Sequence, residues 1–320
     1  MRLAPLLRRA FDRGEWRIAA AALLLLAAAA MPEITLRRHT FNYMFSFDIT
    51  QSMNVDDVMQ DGVPTSRLAL ARAATREALH RLPCGSKVGW SIFADYRSFA
   101  LLEPIEVCAN YEILLSTLDK IDGRMRWANA SNIGKGLYWS LRNAHQIPDT
   151  RVVFITDGQE APPLRPGQEP MPAVTPGEVG GWVIGVGGDT PSRIPRTNAD
   201  GVVTGYWTAD AVVQAPGQSH EELSELRERY LASLATRTGL DYRRLTTTDA
   251  LGDALLDTKW AIEAPAPTSL RWLPAALALT LLAWHFLPET GVLRKGLTGK
   301  ASTRRSQHTL AKLAADPAAR

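Results

Sequence analysis

The stretch FNYMFSFDITQSMN, residues 41–54, joins an apolar run to an acid and two hydroxyl residues. Residues 41–47 are mostly apolar or aromatic, which is typical of a strand covered on both faces. Asp48 ends that run, and Thr50 and Ser52 follow it at alternate positions. Because ligands bind beyond the carboxyl ends of the strands in open α/β sheets, we interpret this junction as a candidate binding loop.

Strand and helix patterns alternate along the middle of the chain. The apolar runs that predict strands lie at 87–94, 98–107, 151–156, 181–187 and 241–247. The runs with helical spacing lie at 66–82, 111–121, 132–146, 220–239 and 250–264. On the first of these helices, Arg67 is expected off the apolar face. The alternation predicts an α/β fold with a doubly wound, mostly parallel sheet, in which 98–107 is one antiparallel edge strand.

Two long segments interrupt this alternation directly after predicted strands. Residues 158–180 are rich in proline and glycine. Residues 188–218 contain the pair Asp200-Gly201, which is typical of a hairpin turn. Both begin where sheets of this kind carry their binding loops, so we interpret both as candidate binding loops.

Charge is distributed unevenly along the 320 residues. Residues 1–17 hold five arginines against two acids, and residues 288–320 hold seven basic residues against two acids. Residues 33–268 hold 23 basic and 29 acidic residues, so the middle of the chain is acidic. The formal net charge of +3 gives no general support for nucleic-acid binding.

Two apolar segments separate the basic ends from the acidic middle. We expect transmembrane helices at 18–32 and 269–287, although both are short against the roughly 20 residues of a spanning helix. A buried core helix is the alternative for each. The first also resembles a cleaved signal peptide, because Ala28-Ala29-Ala30 suits a cleavage site. The proline-rich stretch APAPTS is interpreted as a linker before the second.

The basic ends predict the orientation of these segments. Under the positive-inside rule, residues 1–17 form a cytoplasmic N-terminus and residues 288–320 a basic cytoplasmic tail. The main domain, residues 40–262, is then expected in the periplasm, anchored to the inner membrane. The basic tail is expected to contact anionic lipid.

Two cysteines are expected to form a disulfide. Cys84 precedes the predicted strand 87–94, and Cys108 follows the predicted strand 98–107. If these strands are antiparallel neighbours, both cysteines lie at one end of the pair, and a bridge would persist in an oxidising compartment. Two buried free thiols are the alternative. The six histidines show no metal-ligand spacing, which argues against a zinc site.

Two acids are predicted to meet at one edge of the sheet. Asp48 ends the first strand, and Asp157 directly follows the strand 151–156. If those strands are adjacent, the two carboxylates converge in a buried place. Buried carboxylates are costly without a counter-charge, so a cation between them is the natural resolution.

Three hydroxyl residues add to these acids. Thr50, Ser52 and Ser131 would raise the number of oxygen ligands to five, some of them acting through water, and Mg²⁺ prefers about six. Mn²⁺ and Ca²⁺ are the alternative ions. An open position on the metal could accept a carboxylate from a partner. The structural alternative is that Thr50 and Ser52 cap the following helix and that Asp157 begins a turn.

Three further acids lie near the predicted site in the sequence, namely Asp56, Asp57 and Glu160. They are most simply a solvated acidic rim. The alternative is a second cation site, or a surface that steers Ca²⁺ toward the protein.

Three short motifs occur in order, D-x-T-x-S at 48–52, A-S-N-I-G at 130–134 and T-D-G at 156–158. Together they resemble the metal-ion-dependent adhesion site of von Willebrand factor A (VWA) domains, over roughly residues 40–262. Thr50 and Ser131 stand where the family usually has Ser and Thr, and both changes keep the hydroxyl. The resemblance implies a divalent-metal site formed by Asp48, Thr50, Ser52, Ser131 and Asp157.

A narrower resemblance is carried by DITQSMNV, the paired cysteines, RMRWANAS and PSRIP…GYW between two membrane segments. These features are similar to the membrane-anchored MxaL-type proteins that accompany PQQ-dependent methanol dehydrogenase. The resemblance implies an assembly factor that inserts calcium into the dehydrogenase, with the dehydrogenase or another maturation protein as partner. A broader relative is the aerotolerance-type VWA protein associated with a MoxR-type ATPase. It implies a structural interaction module whose metal site is not used.

An enzyme is the other function class that the sequence allows. The chain has no G-x-S-x-G nucleophile elbow, no Walker lysine loop and no H-E-x-x-H pair. The run GVGGD at 185–189 follows a strand, but it lacks dinucleotide-loop spacing and leads into Pro191. We therefore predict a non-catalytic adaptor that binds a partner protein through its metal.

Overall fold

The computed structural model describes residues 15–217 and 219–287. The predicted basic tail at 288–320 and most of the predicted N-terminal segment at 1–17 lie outside the described residues. The chain divides into two compact units. The larger unit is Glu33–Ser269, and the smaller one combines Met1–Pro32 with Leu270–Arg320.

The secondary structure alternates as the sequence predicts. The strands are β1 Ile34–Thr40, β2 Asn42–Asp48, β3 Val58–Gln60, β4 Val63–Thr65, β5 Lys87–Ala94, β6 Arg97–Glu106, β7 Arg151–Thr156, β8 Gly181–Gly185, β9 Ser192–Arg193, β10 Pro195–Thr197, β11 Val203–Tyr206, β12 Leu223–Ser224, β13 Asp241–Arg244 and β14 Ile262–Thr268. The helices are α1 Trp16–Ala30, α2 Arg67–Arg81, α3 Tyr111–Leu118, α4 Ile133–His145, α5 Glu228–Thr238, α6 Thr248–Leu255 and α7 Trp272–Phe286.

A six-stranded sheet forms the centre of the larger unit, in the order β13-β8-β7-β2-β5-β6. All neighbours are parallel except β6, which runs antiparallel to β5 at the edge. The predicted mostly parallel sheet with one antiparallel edge strand is therefore confirmed. Because β2 and β7 are adjacent, the loops that follow them leave the same edge of the sheet.

Strand β2 is covered on both faces, as its apolar run predicts. Tyr43, Phe45 and Phe47 belong to a core layer that includes apolar residues of α2, α3 and α6. Met44 belongs to a second layer with residues of α4 and α5. Side chains alternate between the two faces of a strand, so only an apolar sequence at nearly every position satisfies both layers.

The helix predicted at 220–239 begins later than expected, at Glu228. Leu223–Ser224 instead forms β12 and pairs with β9. The Ser224 carbonyl accepts a hydrogen bond from Arg67 Nη2 at 3.0 Å, and its hydroxyl accepts one from Arg67 Nη1 at 2.7 Å. These partners from distant parts of the chain override the helical pattern of residues 220–227.

The helix predicted at 250–264 is also shorter, because α6 ends at Leu255. Residues of the APAPTS stretch belong to β14, which pairs antiparallel with β1 from Ile34 opposite Thr268 to Thr40 opposite Ile262. The interpretation of this stretch as a linker is therefore wrong. A two-stranded ribbon tolerates proline because each strand is an edge strand. The ribbon joins the beginning and the end of the larger unit.

The two helices of the smaller unit, α1 and α7, have 15 residues each. The guanidinium carbon of Arg17 lies 4.1 Å from the ring centroid of Trp284, and Arg271 Nε donates to the Met31 carbonyl at 3.0 Å. Within residues 15–217 and 219–287, no helix combines the length and apolarity needed to cross a membrane. The transmembrane helices at 18–32 and 269–287 stay predictions.

A disulfide joins Cys84 and Cys108, whose Cα atoms lie 5.2 Å apart. The pairing of β5 with β6 explains it, since Lys87 lies opposite Glu106 in the register. The predicted bridge is confirmed, and the alternative of two free thiols is wrong.

Candidate metal centre

The two predicted acids lie at neighbouring strand ends. Asp48 is the last residue of β2 and Asp157 directly follows β7, and both side chains are fully buried. Burial, and then the nearby negative charge of Asp157, raise the pKa of Asp48 to about 7. Because β2 and β7 are parallel neighbours, both acids lie at the same edge of the sheet, as the sequence predicts.

Hydroxyl groups surround the Asp48 carboxylate. Its Oδ1 accepts hydrogen bonds from the Thr50 hydroxyl at 2.6 Å and from the Thr50 amide at 2.9 Å. Its Oδ2 accepts one from the Thr156 hydroxyl at 2.6 Å. The hydroxyls of Thr50 and Ser52 lie 3.3 Å apart. Sequence analysis did not assign Thr156 to the site, although its place in the T-D-G motif was the available signal.

Asp157 has a cationic partner that the sequence analysis missed. Its Oδ2 accepts a hydrogen bond from Arg67 Nη1 at 2.6 Å, and its Oδ1 accepts one from the Gln159 amide at 2.8 Å. Arg67 also binds Asp57 through Nε and Nη2, at 2.9 and 2.5 Å. The side chain of Arg67 is fully buried among these polar partners, which its expected place off the apolar face of the helix did not indicate.

A signal for Arg67 was present in the sequence. It is the first residue of α2, directly after the N-cap Ser66, and the first turn contains no acid. A cation is unfavourable at the positive end of a helix dipole. An arginine at that position therefore indicates acids from elsewhere in the fold, and here those acids are Asp57 and Asp157.

Ser131 lies on the loop before α4. Its amide donates to the Ala161 carbonyl at 2.7 Å, and its carbonyl accepts from the Ala161 amide at 2.8 Å. Its hydroxyl is buried and has no hydrogen-bond partner among the described residues. The N-cap residue of α4 is Asn132, so Ser131 does not cap this helix. The Ser131 hydroxyl is thus available to a ligand.

Three of the five predicted residues line one cavity. Thr50, Ser52 and Ser131 are on its wall, and the cavity volume is about 210 Å³. Neither Asp48 nor Asp157 is among the lining residues. Asp48 is joined to the wall through the hydrogen bond that it accepts from the Thr50 hydroxyl. The alternative role of Thr50 as a helix cap is not supported. Thr50 stands at the N-cap position of a short 3₁₀ turn, but its side chain makes no capping hydrogen bond there.

Gln51 connects three of the loops that surround this cavity. Its Nε2 donates to Asn129 Oδ1 at 2.6 Å, beside Ser131. Its Oε1 accepts from the Thr197 amide at 2.9 Å and from Trp207 Nε1 at 3.1 Å. Thr197 ends β10 and Trp207 follows β11, so the predicted hairpin in 188–218 exists and forms part of the cavity wall.

The donor set fits a hard divalent cation. The carboxylates of Asp48, Asp57 and Asp157, together with the Arg67 guanidinium, carry a net charge of −2 when all are ionised. Carboxylate and hydroxyl oxygens are ligands that Mg²⁺, Mn²⁺ and Ca²⁺ accept. The Ser131 hydroxyl, which has no partner among the residues that the structure describes, is an oxygen that such an ion could use.

The acids considered for a second cation site are engaged separately. Asp57 binds Arg67 and also accepts from the Gly188 amide at 2.9 Å. Glu160 accepts from the Tyr230 hydroxyl at 2.6 Å. Asp56 is exposed. The acidic-rim interpretation therefore holds for Asp56, and these three residues do not gather around one point.

The sequence matches no model of a known family and no curated protein. Solved structures with some likeness include an aerotolerance-related membrane protein from Bacteroides fragilis, at 18% identity and TM-score 0.46, covering 67% of this chain and 96% of that chain. BatB from Bacteroides thetaiotaomicron has 17% identity and TM-score 0.45, covering 69% and 96%. The ArnB paralog VWA2 from Sulfolobus acidocaldarius has 12% identity and TM-score 0.37, covering 69% and 45%. At these scores the likenesses indicate nothing about function.

Proposed function

We propose that this chain is a non-catalytic VWA-type adaptor that binds an acidic side chain of a partner protein through Mg²⁺ or another hard dication. The supporting observation is the buried hydroxyl of Ser131, which has no hydrogen-bond partner in the described part of the chain and shares a cavity wall with Thr50 and Ser52. A buried hydroxyl without a partner costs about 1–3 kcal/mol, which a bound cation would recover.

Each residue would have a distinct part in holding the ion. Asp48 supplies negative charge, and Thr50, Ser52 and Ser131 supply neutral oxygens. Asp157 is held by Arg67 and would act through water rather than directly. When bound, the dication supplies an electrophilic position for a carboxylate. Because Arg67 neutralises the charge of Asp157, the protein would neutralise less of the charge of the dication. The dication would then attract the carboxylate of the partner more strongly.

We further propose that the adaptor is anchored in the inner membrane, with the larger unit in the periplasm. The basic ends of the chain support this orientation. The Cys84–Cys108 disulfide supports an oxidising compartment. Maturation of PQQ-dependent methanol dehydrogenase by calcium insertion is the most specific client proposal, and the sequence resemblance alone supports it.

The test is divalent-cation binding by the full-length chain and its Asp48→Ala variant, measured by isothermal titration calorimetry with Mn²⁺. We expect the variant to bind Mn²⁺ more than about tenfold more weakly than wild type. Removing even a hydrogen-bond partner of a metal ligand typically weakens metal binding by that factor. Asp56→Ala is the matched control. It removes an acid near the site in sequence that is exposed and does not line the cavity.

The two variants separate the possible results. Weak binding by Asp48→Ala together with wild-type binding by Asp56→Ala supports the site. Equal Mn²⁺ binding by wild type and Asp48→Ala would show that the ion, if bound, is held elsewhere. Circular dichroism spectra of all three proteins check that the fold is retained.

A second candidate function is a metal-independent interaction module, such as a structural component of an aerotolerance-type complex with a MoxR-type ATPase. The observation that favours it is the Arg67 guanidinium, which already compensates Asp157. This function predicts that partner capture is unchanged by EDTA. The adaptor proposed above predicts that EDTA and Asp48→Ala both abolish capture.

A further inference from the structure

The cavity at the candidate metal centre has an apolar side. Ile194, Trp207 and Val212 line it together with the hydroxyl residues that would hold the ion. Trp207 is half-buried and is fixed by the hydrogen bond from its Nε1 to Gln51. The cavity therefore offers more than ligands for an ion. Its apolar wall would contact the aliphatic part of a ligand side chain that lies beside the ion.

A second group of polar residues on the same wall has unused acceptor atoms. Gln159 is 97% buried, and its Oε1 has no hydrogen-bond partner among residues 15–217 and 219–287. Glu160 Oε2 is likewise buried without a partner, while its Oε1 accepts from Tyr230. Gln159 Oε1 is an acceptor, and Glu160 Oε2 is one when the carboxyl is ionised, so they call for a ligand that donates hydrogen bonds.

The charge on the cavity wall has one sign. Glu160 and Glu221 line the cavity, and no lysine, arginine or histidine is among the lining residues that the structure describes. Glu221 Oε2 accepts from Gln159 Nε2 at 2.9 Å, which places Glu221 beside the side-chain oxygen Oε1 of Gln159. Arg196 stacks on the Trp207 ring at 5.1 Å but does not line the cavity. The wall is thus complementary to a cation.

We propose that the cavity is a subsite for a basic side chain, lysine or arginine, of the same partner segment whose carboxylate binds the metal. The aliphatic stem would lie against Trp207 and Val212, and the cationic head would donate to Gln159, Glu160 and Glu221. Long basic side chains combine an apolar stem with a charged head in this way. This inference rests on the proposed function, since the neighbouring carboxylate needs the metal.

The experiment uses capped peptides that contain one aspartate, joined through glycine spacers of increasing length to either lysine or norleucine. Norleucine keeps the aliphatic stem and lacks the ammonium group. Binding to the full-length chain in Mg²⁺, at a pH above 7 where Glu160 is ionised, is measured from the broadening of the fluorine NMR signal of a trifluoroacetyl cap. We expect one spacer length at which the lysine peptide binds roughly fivefold more tightly than the norleucine peptide, as for a partly exposed ion pair.

Variants then assign the preference to the cavity. Glu160→Gln and Glu221→Gln should reduce the preference for lysine, because each removes a charge and keeps the side-chain shape. Glu222→Gln is the matched control. It lies next to Glu221 in the chain and does not line this cavity, so the preference should persist.

Two results would overturn the subsite while leaving the metal site intact. One is a protein that binds Mg²⁺ by calorimetry but binds the lysine and norleucine peptides equally at every spacer length, or binds neither peptide. The other is a Glu160→Gln variant that weakens both peptides equally, because Glu160 would then act on the ion. If calorimetry detects no Mg²⁺ binding, the proposed function fails and this inference fails with it.

Discussion

At the scale of single residues, Arg67 is the main departure from the pattern that the sequence suggests. Its guanidinium is fully buried between Asp57 and Asp157, and it also donates to Ser224. A buried ion pair is weak evidence for stability as such, but removing one partner leaves an uncompensated charge. Arg67 therefore gives Asp157 a buried counter-charge whether or not a cation is nearby.

Replacing Arg67 by methionine should destabilise the larger unit by about 3–5 kcal/mol, because Asp57 and Asp157 lose their buried counter-charge. Urea unfolding followed by tryptophan fluorescence measures this change. The control is Arg76→Met on the same helix, whose ion pair with Asp119 is about half exposed on both sides. It should cost less than about 1 kcal/mol. Similar losses for the two variants would contradict the role assigned to Arg67.

At the scale of the elements, the strand pair β5–β6 is held at one end by a covalent bond. The disulfide joins Cys84, before β5, to Cys108, after β6. Glu106 supports the same end, since its carboxylate accepts from the amides of Gly85 at 2.7 Å and Ala109 at 2.5 Å. The edge of the sheet is thus constrained where an edge strand has only one neighbour.

Reduction of this disulfide should lower the free energy of unfolding by about 2–4 kcal/mol, mainly because the unfolded chain regains the freedom of the loop between the cysteines. Urea unfolding with and without reductant measures the change. A Cys84→Ser, Cys108→Ser double variant is the control, and its stability should not respond to reductant. An equal response of both proteins would mean that the reductant acts elsewhere.

At the scale of the whole molecule, the binding edge of the sheet combines buried acids with a cavity. Besides Asp48, Glu160 has a raised pKa, about 7, because burial outweighs its hydrogen bond from Tyr230. The unfolded chain releases that proton near the ordinary value of 4.5. Between these values the folded state binds more protons, so this group lowers the free energy of unfolding as pH rises.

The metal-free protein should therefore lose stability through Glu160 between about pH 4.5 and 7, relative to a Glu160→Gln variant. The difference should reach on the order of 1–3 kcal/mol, given that one pKa unit corresponds to about 1.4 kcal/mol. Urea unfolding of both proteins in EDTA across this pH range measures it. Other titrating groups are common to both proteins, so the difference isolates Glu160. If the free energies of unfolding of the two proteins change with pH in parallel, Glu160 does not contribute to the pH dependence of stability.

The sequence by itself determined the parts of the fold that depend on local pattern. The alternating apolar runs predicted the six central strands, because burial on two faces demands apolar residues at nearly every position of β2, β7 and β8. The positions of Asp48 and Asp157 at strand ends followed from the same pattern. The disulfide followed from the expected pairing of β5 with β6.

Only the tertiary structure decided which distant groups meet. Arg67 and Ser224 are separated by 157 positions, and their contact changed a predicted helix into β12. The pairing of β14 with β1 changed a predicted linker into a strand. The unpaired hydroxyl of Ser131 and the cavity wall formed by Trp207 also required the fold. In each case hydrogen bonding and charge compensation over long sequence distances outweighed local propensity, and no local pattern encodes such partners.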